Sequence, residues 1–142
     1  MKRILFVLML VWTMNLSAHA QRSEPATALQ DTSTWILSKI GGAKARQHTG
    51  NKVFITLDKP DHKVSGYTSC NYIHGKFSMK DTTISFTEIV FGKRVCDEST
   101  TALEEELLGM FHKINSWKIE GEQLYLYDKG WLLLEFKSAN KK

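Results

Sequence analysis

Cysteine is scarce here: two residues in 142, too few for one of the small scaffolds held together by several disulfides. Long hydrophobic runs are also missing. Beyond Ile4 to Leu16, no stretch is long or apolar enough to span a bilayer. Neither sign of charge is in large excess, since the net charge is +4 with histidines neutral. Apart from Lys141-Lys142 the basic residues are scattered, which excludes the clustered face of a nucleic-acid binder and a membrane-surface patch. No serine sits in a Gly-x-Ser-x-Gly elbow, and Gly41-Gly42 lacks the lysine and hydroxyl of a phosphate loop. His48, His62, His74 and His112 stand singly, without the spacing of paired metal ligands. No catalytic constellation, cofactor site or metal site is expected, and the chain reads as a non-enzyme.

The N-terminus does carry a pattern. Lys2 and Arg3 precede the apolar stretch, and Ala18-His19-Ala20 provides the small-x-small motif of a cleavable export signal. Residues 1–20 are therefore expected to be removed after Ala20. An uncleaved anchor is the weaker reading, because the apolar run falls short of the roughly 20 residues a spanning helix needs. With no cysteine near the cleavage point, lipid attachment is excluded and a periplasmic or secreted protein is expected. Loss of Lys2 and Arg3 leaves 17 Lys and Arg against 15 Asp and Glu.

Residues 21–32 are small and polar, include Pro25 and read as a flexible lead-in; 33–138 read as one domain and 139–142 as a tail. Within the domain, apolar residues alternate with polar ones in short pieces, the signature of antiparallel strands. Trp35 and Leu37 share one face, as do Val53, Ile55 and Leu57. Strands follow at 64–67, 76–79 and 83–87, with turns at Asp58-Lys59-Pro60-Asp61 and Lys80-Asp81. The period then changes. Between Ser99 and Asn115, Leu103, Leu107, Met110, Phe111 and Ile114 fall on one helical face. Thr101 with Glu104 fits a capping box, with Ser99 or Asp97 as alternative caps, and Glu104 to Glu106 read as a solvated first turn. Strand pattern resumes at Trp117 and Ile119, at Leu124 to Tyr127, and at Trp131 to Phe136, a nearly continuous apolar strand expected to be covered on both faces. The expected fold class is α+β and β-rich: a strongly curved antiparallel sheet or partly open barrel with one helix inserted before the last strands.

An even, small number of cysteines in an exported chain favours a Cys70–Cys96 disulfide. A metal site of Cys70, His74, Cys96 and His112 competes, but its spacing matches no zinc pattern and thiols oxidise in that compartment. Asn71 reads as a turn residue bonding its own backbone.

The opening Thr34-Trp35-Ile36-Leu37, the run Ser65-Gly66-Tyr67-Thr68-Ser69-Cys70-Asn71, then Gly75-Lys76-Phe77, Ile84-Ser85-Phe86, Lys93-Arg94-Val95-Cys96, Glu104 to Leu108 and the closing Leu124-Tyr125-Leu126 with Trp131 to Phe136 together resemble the META domain, also called the HslJ-like family. Ser65, Gly66, Cys70, Asn71, Gly75 and Cys96 carry the motif. Two positions depart from it. Ser69 stands where the family usually has glycine, and Gly92-Lys93-Arg94-Val95 stands where it more often has threonine, a basic residue, methionine and alanine. The resemblance implies a compact β-rich domain of the bacterial envelope, linked by name to heat shock and motility. It implies no agreed catalytic activity or cofactor.

The functional expectation is a monomeric, partner-binding or stress-related envelope domain, with Tyr67, Tyr72, Tyr125 or Tyr127 as anchors for a partner protein. The alternative is a carrier of a lipid or other apolar ligand, with Trp117, Trp131, Phe77, Phe86 and Phe111 lining a cavity beneath the helix. An uncharacterised enzyme ranks third. The paired cysteines generate a prediction. A loop of about 26 residues is worth about 3.5 kcal/mol on the chain-entropy model. Cys70→Ser and Cys96→Ser should each lower the urea midpoint substantially, and the double variant should cost little more than either single. Additive losses would count against the pairing.

Overall fold

The computed structural model describes residues 29–45 and 52–139. The expected leader, residues 21–28 of the lead-in, His48 and Lys141-Lys142 lie outside the described residues. Where the lead-in is described it is attached: Leu29 is buried, and Lys59 N donates to Asp31 O at 2.8 Å.

Alternation becomes strand as expected. The elements are β1 (Thr32–Ile40), β2 (Ala43–Lys44), β3 (Phe54–Asp58), β4 (Lys63–Tyr67), β5 (Tyr72–Lys80), β6 (Thr83–Phe91), α1 (Glu98–Phe111), β7 (Ser116–Glu120), β8 (Gln123–Asp128) and β9 (Trp131–Ser138). Every pairing is antiparallel, and β9 returns to β1, with Leu37 opposite Phe136 and Ile40 opposite Leu134. The sheet thus closes on itself, which removes its long edges. Inward positions hold the core: Leu57, Ile73, Leu124, Leu126 and Leu134 are completely buried. Leucine points in and tyrosine points out along β8, the alternation that fixes its register.

The ring has one thin seam. β6 and β7 share a single registered pair, Thr83 opposite Ser116, flanked by backbone bonds from Ile84 N to Asn115 O and from Trp117 N to Thr82 O. The connection between these two strands is the helix. Phe111 rests edge-on against Phe86 with ring centroids 5.1 Å apart, and Phe86 meets Phe77 at 6.3 Å. Burying aromatic side chains is worth about 1.5–3 kcal/mol each, so this contact anchors the helix strongly.

Several expectations need correction. β5 and β6 are both longer than expected, because a bulge opposite Gly75, where Glu88 takes φ +55°, lets the pair continue past it. β9 is covered on both faces only over Leu134-Glu135-Phe136, all three buried; at its start Trp131 is 79% exposed and Leu132 half-buried. Of the five rings expected around a cavity, Phe77, Phe86 and Phe111 instead pack against one another in the interior, and Trp131 lies outside it.

Two glycines test the packing in opposite senses. A Cβ on Gly66 would stand 2.1 Å from Phe54 O on the neighbouring strand, whereas one on Gly109 in the helix meets nothing. Gly66→Ala should therefore destabilise by about 1–3 kcal/mol, and Gly109→Ala should stabilise by about 0.5–1 kcal/mol through helix propensity. Urea unfolding reads both, and the opposite signs are the outcome expected.

Candidate functional site

The motif residues converge on one corner of the barrel, where the β4–β5 connection, the segment after β6 and the first turns of α1 meet. Asp97 is the N-cap: its Oδ1 accepts from Thr100 N at 3.0 Å and its Oδ2 from Thr100 Oγ1 at 2.6 Å. That start places Thr100, Glu104, Leu107 and Phe111 on the buried face. The β4–β5 connection turns sharply, with Thr68 N donating to Asn71 O at 2.9 Å and the Thr68 hydroxyl oxygen 2.9 Å from the same carbonyl. Ser69 sits at φ +88°, a conformation that suits glycine, which explains why glycine is usual at this position of the motif. Tyr67 OH donates to Ser69 O at 2.8 Å and helps hold the turn.

Glu104 is the hub. It is 8% exposed, and its carboxylate accepts from Thr68 Oγ1, from Asn71 N at 2.9 Å and from Asn71 Nδ2 at 2.8 Å. This corrects its reading as part of a solvated turn. Asn71 is corrected as well: its side chain reaches across to the segment after β6, where Oδ1 accepts from Arg94 N at 2.9 Å. Gly92 is needed beneath it, since a Cβ there would lie 2.7 Å from Asn71 Oδ1. Cys70 and Cys96 form the disulfide, with Cα atoms 6.2 Å apart, and Cys96 Sγ lies 4.0 Å from Glu104 Oε2. Sulfur bonded to sulfur offers no thiolate, so the alternative metal set of Cys70, His74, Cys96 and His112 does not form. His74 is exposed on the outer face of β5, and His112 is the exposed C-cap of the helix.

Gly66 and Gly75 belong to the same motif but serve the barrel wall. Gly75 faces inward opposite Val64, and a Cβ on it would meet Ile89 Cδ1 at 2.4 Å. Ser65 pairs with His74 on the outer face. At this corner buried donors are matched to a buried carboxylate. Among the described residues, no group of three His, Cys, Asp or Glu side chains is placed to hold a metal ion.

Electrostatic perturbation lies elsewhere. Lys39 Nζ donates to the buried Glu135 at 2.9 Å, and this bond with the carboxylate's charge raises the Lys39 pKa above the usual lysine range. On the surface, the hydrogen bond from Lys63 lowers the Asp61 pKa, and Glu120 raises that of Lys118 in the same way. Of these, the Lys39–Glu135 pair ties β1 to β9, whereas the other two join residues two apart in the chain.

The four tyrosines expected as anchors fall in two pairs. Tyr125 and Tyr127 stack on the outer face of β8 with centroids 6.5 Å apart, and Tyr125 OH donates to Gln123. Tyr67 and Tyr72 meet on the outer face of β4 and β5 at 5.3 Å. Two clefts open on the outside near β2. One, of about 340 Å³, lies between β1, β2 and the start of α1; the other, of about 600 Å³, includes Ile36, Lys44, Lys52 and Lys137.

Such a molecule is an antiparallel barrel domain with one inserted helix, tied to the barrel wall by a disulfide and a buried carboxylate. The chain belongs to the META-domain family, whose model matches residues 27–141. It is similar in fold to a protein from Burkholderia xenovorans solved by NMR, at 22% identity and a TM-score of 0.63, covering 77% of this chain and 83% of that one. A DUF4847 family protein from Bacteroides vulgatus, seen in a crystal structure, gives 16% identity and a TM-score of 0.52 over 79% of this chain and 95% of its own. No protein with a curated description matches.

The network around Glu104 generates a prediction. Glu104→Leu removes the acceptor shared by the Thr68 hydroxyl, Asn71 N and Asn71 Nδ2 and leaves Asn71 N buried without its partner, and should cost about 1–3 kcal/mol. Glu105→Leu, one residue along on the exposed side, should change stability by less than about 1 kcal/mol. Equal effects in thermal unfolding would show that the carboxylate is not the hub.

Proposed function

We propose that this protein is an exported, non-enzymatic envelope domain that acts by binding a partner protein on the outside of its barrel. The observation that carries this reading is a row of outward-facing apolar side chains in direct register: Ile36 opposite Phe54, Phe54 opposite Tyr67, and Tyr67 opposite Tyr72. Outer faces of antiparallel sheets are ordinarily polar, and the adjacent row of Thr34, Thr56, Ser65 and His74 follows that rule. Tyr72 is 54% exposed, and tyrosine anchors are common at interfaces. The apolar interior and charged exterior are the reverse of a lipid-facing barrel. No helix among the described residues is long and apolar enough to cross a membrane. The disulfide and the leader sequence support a periplasmic or secreted location. A part in the stress response accords with the family's link to heat shock.

The test is photocrosslinking in the native envelope from benzoyl-phenylalanine placed at Tyr72, with the same probe at exposed Lys113 beyond the helix as control. A discrete protein adduct from position 72 and none from 113 is the expected outcome. Absence of adducts from 72 overturns the reading.

A further inference from the structure

Resting on that binding face, we infer that the partner presents a short extended segment in which apolar side chains are flanked by carboxylates. Strands stand about 4.8 Å apart, so the row from Ile36 to Tyr72 spans roughly 15 Å across β1, β3, β4 and β5. At about 3.3 Å per residue, that distance accommodates some five residues of extended chain. Both ends of the row are cationic. At the β1 end, Ile36 also forms a wall of the 600 Å³ cleft that holds Lys44, Lys52 and Lys137. Lys137 stands beside Ile36 in the β1–β9 register, so the lysine cleft continues the apolar row without a break.

At the other end, Gly92 N donates to Tyr72 O at 2.9 Å and brings the exposed Lys93 and Arg94 alongside. The bond from Arg94 N to Asn71 Oδ1 and the disulfide at Cys96 fix this segment, and Val95 at its tip is fully exposed. The ion pairs among the described residues do not include Lys44, Lys52, Lys93 or Arg94, and Lys137 has only a 4.0 Å contact with Glu122. Their charge is complementary to an acidic partner and repels a basic one. The apolar stripe is one side chain wide, bordered by the polar row of Thr34, Thr56, Ser65 and His74. That shape fits an extended segment, whereas a bilayer surface would press on the polar row as well.

The probe is a fluorescein-labelled synthetic peptide with a core of five leucine, phenylalanine and valine residues between two pairs of glutamates, titrated with the mature, oxidised protein. Anisotropy should show saturable binding that weakens with added salt. A second peptide with lysines in place of the glutamates should bind at least ten-fold more weakly. The double variant Lys52→Glu with Lys137→Glu, and Tyr72→Ser separately, should each weaken the glutamate peptide at least ten-fold, while Lys113→Glu should leave it unchanged. Circular dichroism confirms that each variant is folded, and Tyr72→Phe should retain binding if the ring is the anchor. No binding of the glutamate peptide, equal binding of both peptides, or variants that bind like the wild type would each overturn the inference. So would capture by phosphatidylglycerol vesicles with no peptide binding, which would assign the lysines to a lipid surface. Persisting crosslinks from position 72 alongside a failed peptide would leave the interface standing and remove only its acidic chemistry; loss of both would remove the interface as well.

Discussion

A carboxylate taken out of water must be matched by donors, and that requirement at Glu104 governs how the helix meets the barrel. The matching donors come from Thr68 and Asn71, more than thirty residues earlier in the chain. To deliver them the β4–β5 connection must turn tightly enough to force Ser69 to positive φ, and Asn71 must lie where it also receives Arg94 N. The disulfide then joins the two segments that Asn71 already links. Covalent and polar ties thus act on one corner, and the helix that spans the thin seam of the ring is fixed there by its first half and by Phe111 at its end.

Strand positions were legible because alternation is a local property: each residue's neighbours two places away report its face. Trp35 with Leu37, Val53 with Ile55 and Leu57, and Leu124 with Leu126 all point inward as their spacing requires. The family resemblance was legible for a similar reason, since cysteines, glycines and asparagine in fixed order are sparse and recognisable. The role of Glu104 was not. An acidic residue near a helix start is equally suited to water and to the dipole, and its true partners are distant in sequence. One signal was present: Glu104, Leu107 and Phe111 are spaced by three and four, so the carboxylate shares the helix face of two core residues. The exposed Trp131 failed for the opposite reason, because an apolar run shows hydrophobicity and not which surface covers it.

The division of labour across the barrel wall follows from closure. With leucine and aromatic side chains occupying the inner face, the side chains left to meet other molecules are those pointing outward. The outer face is mostly polar and paired, as in the Lys76–Glu88 bridge at 2.8 Å and the Thr34–Thr56 contact at 3.0 Å. The apolar row of Ile36, Phe54, Tyr67 and Tyr72 departs from this pattern on four neighbouring strands.

The pairing of β1 with β9 also brings the domain's entry and exit together. Trp35 stands opposite Ser138, and Ala139 N donates to Thr34 O at 2.9 Å. A domain whose two ends leave from one point is topologically a bead on a loop. It can be spliced into a surface turn of another protein, or repeated in tandem, without opening its ring. Its ends could equally be joined and the chain recut at the tight Gly121 or Lys129-Gly130 turns, where positive φ already marks sharp reversals. Modularity is therefore built into the circle itself.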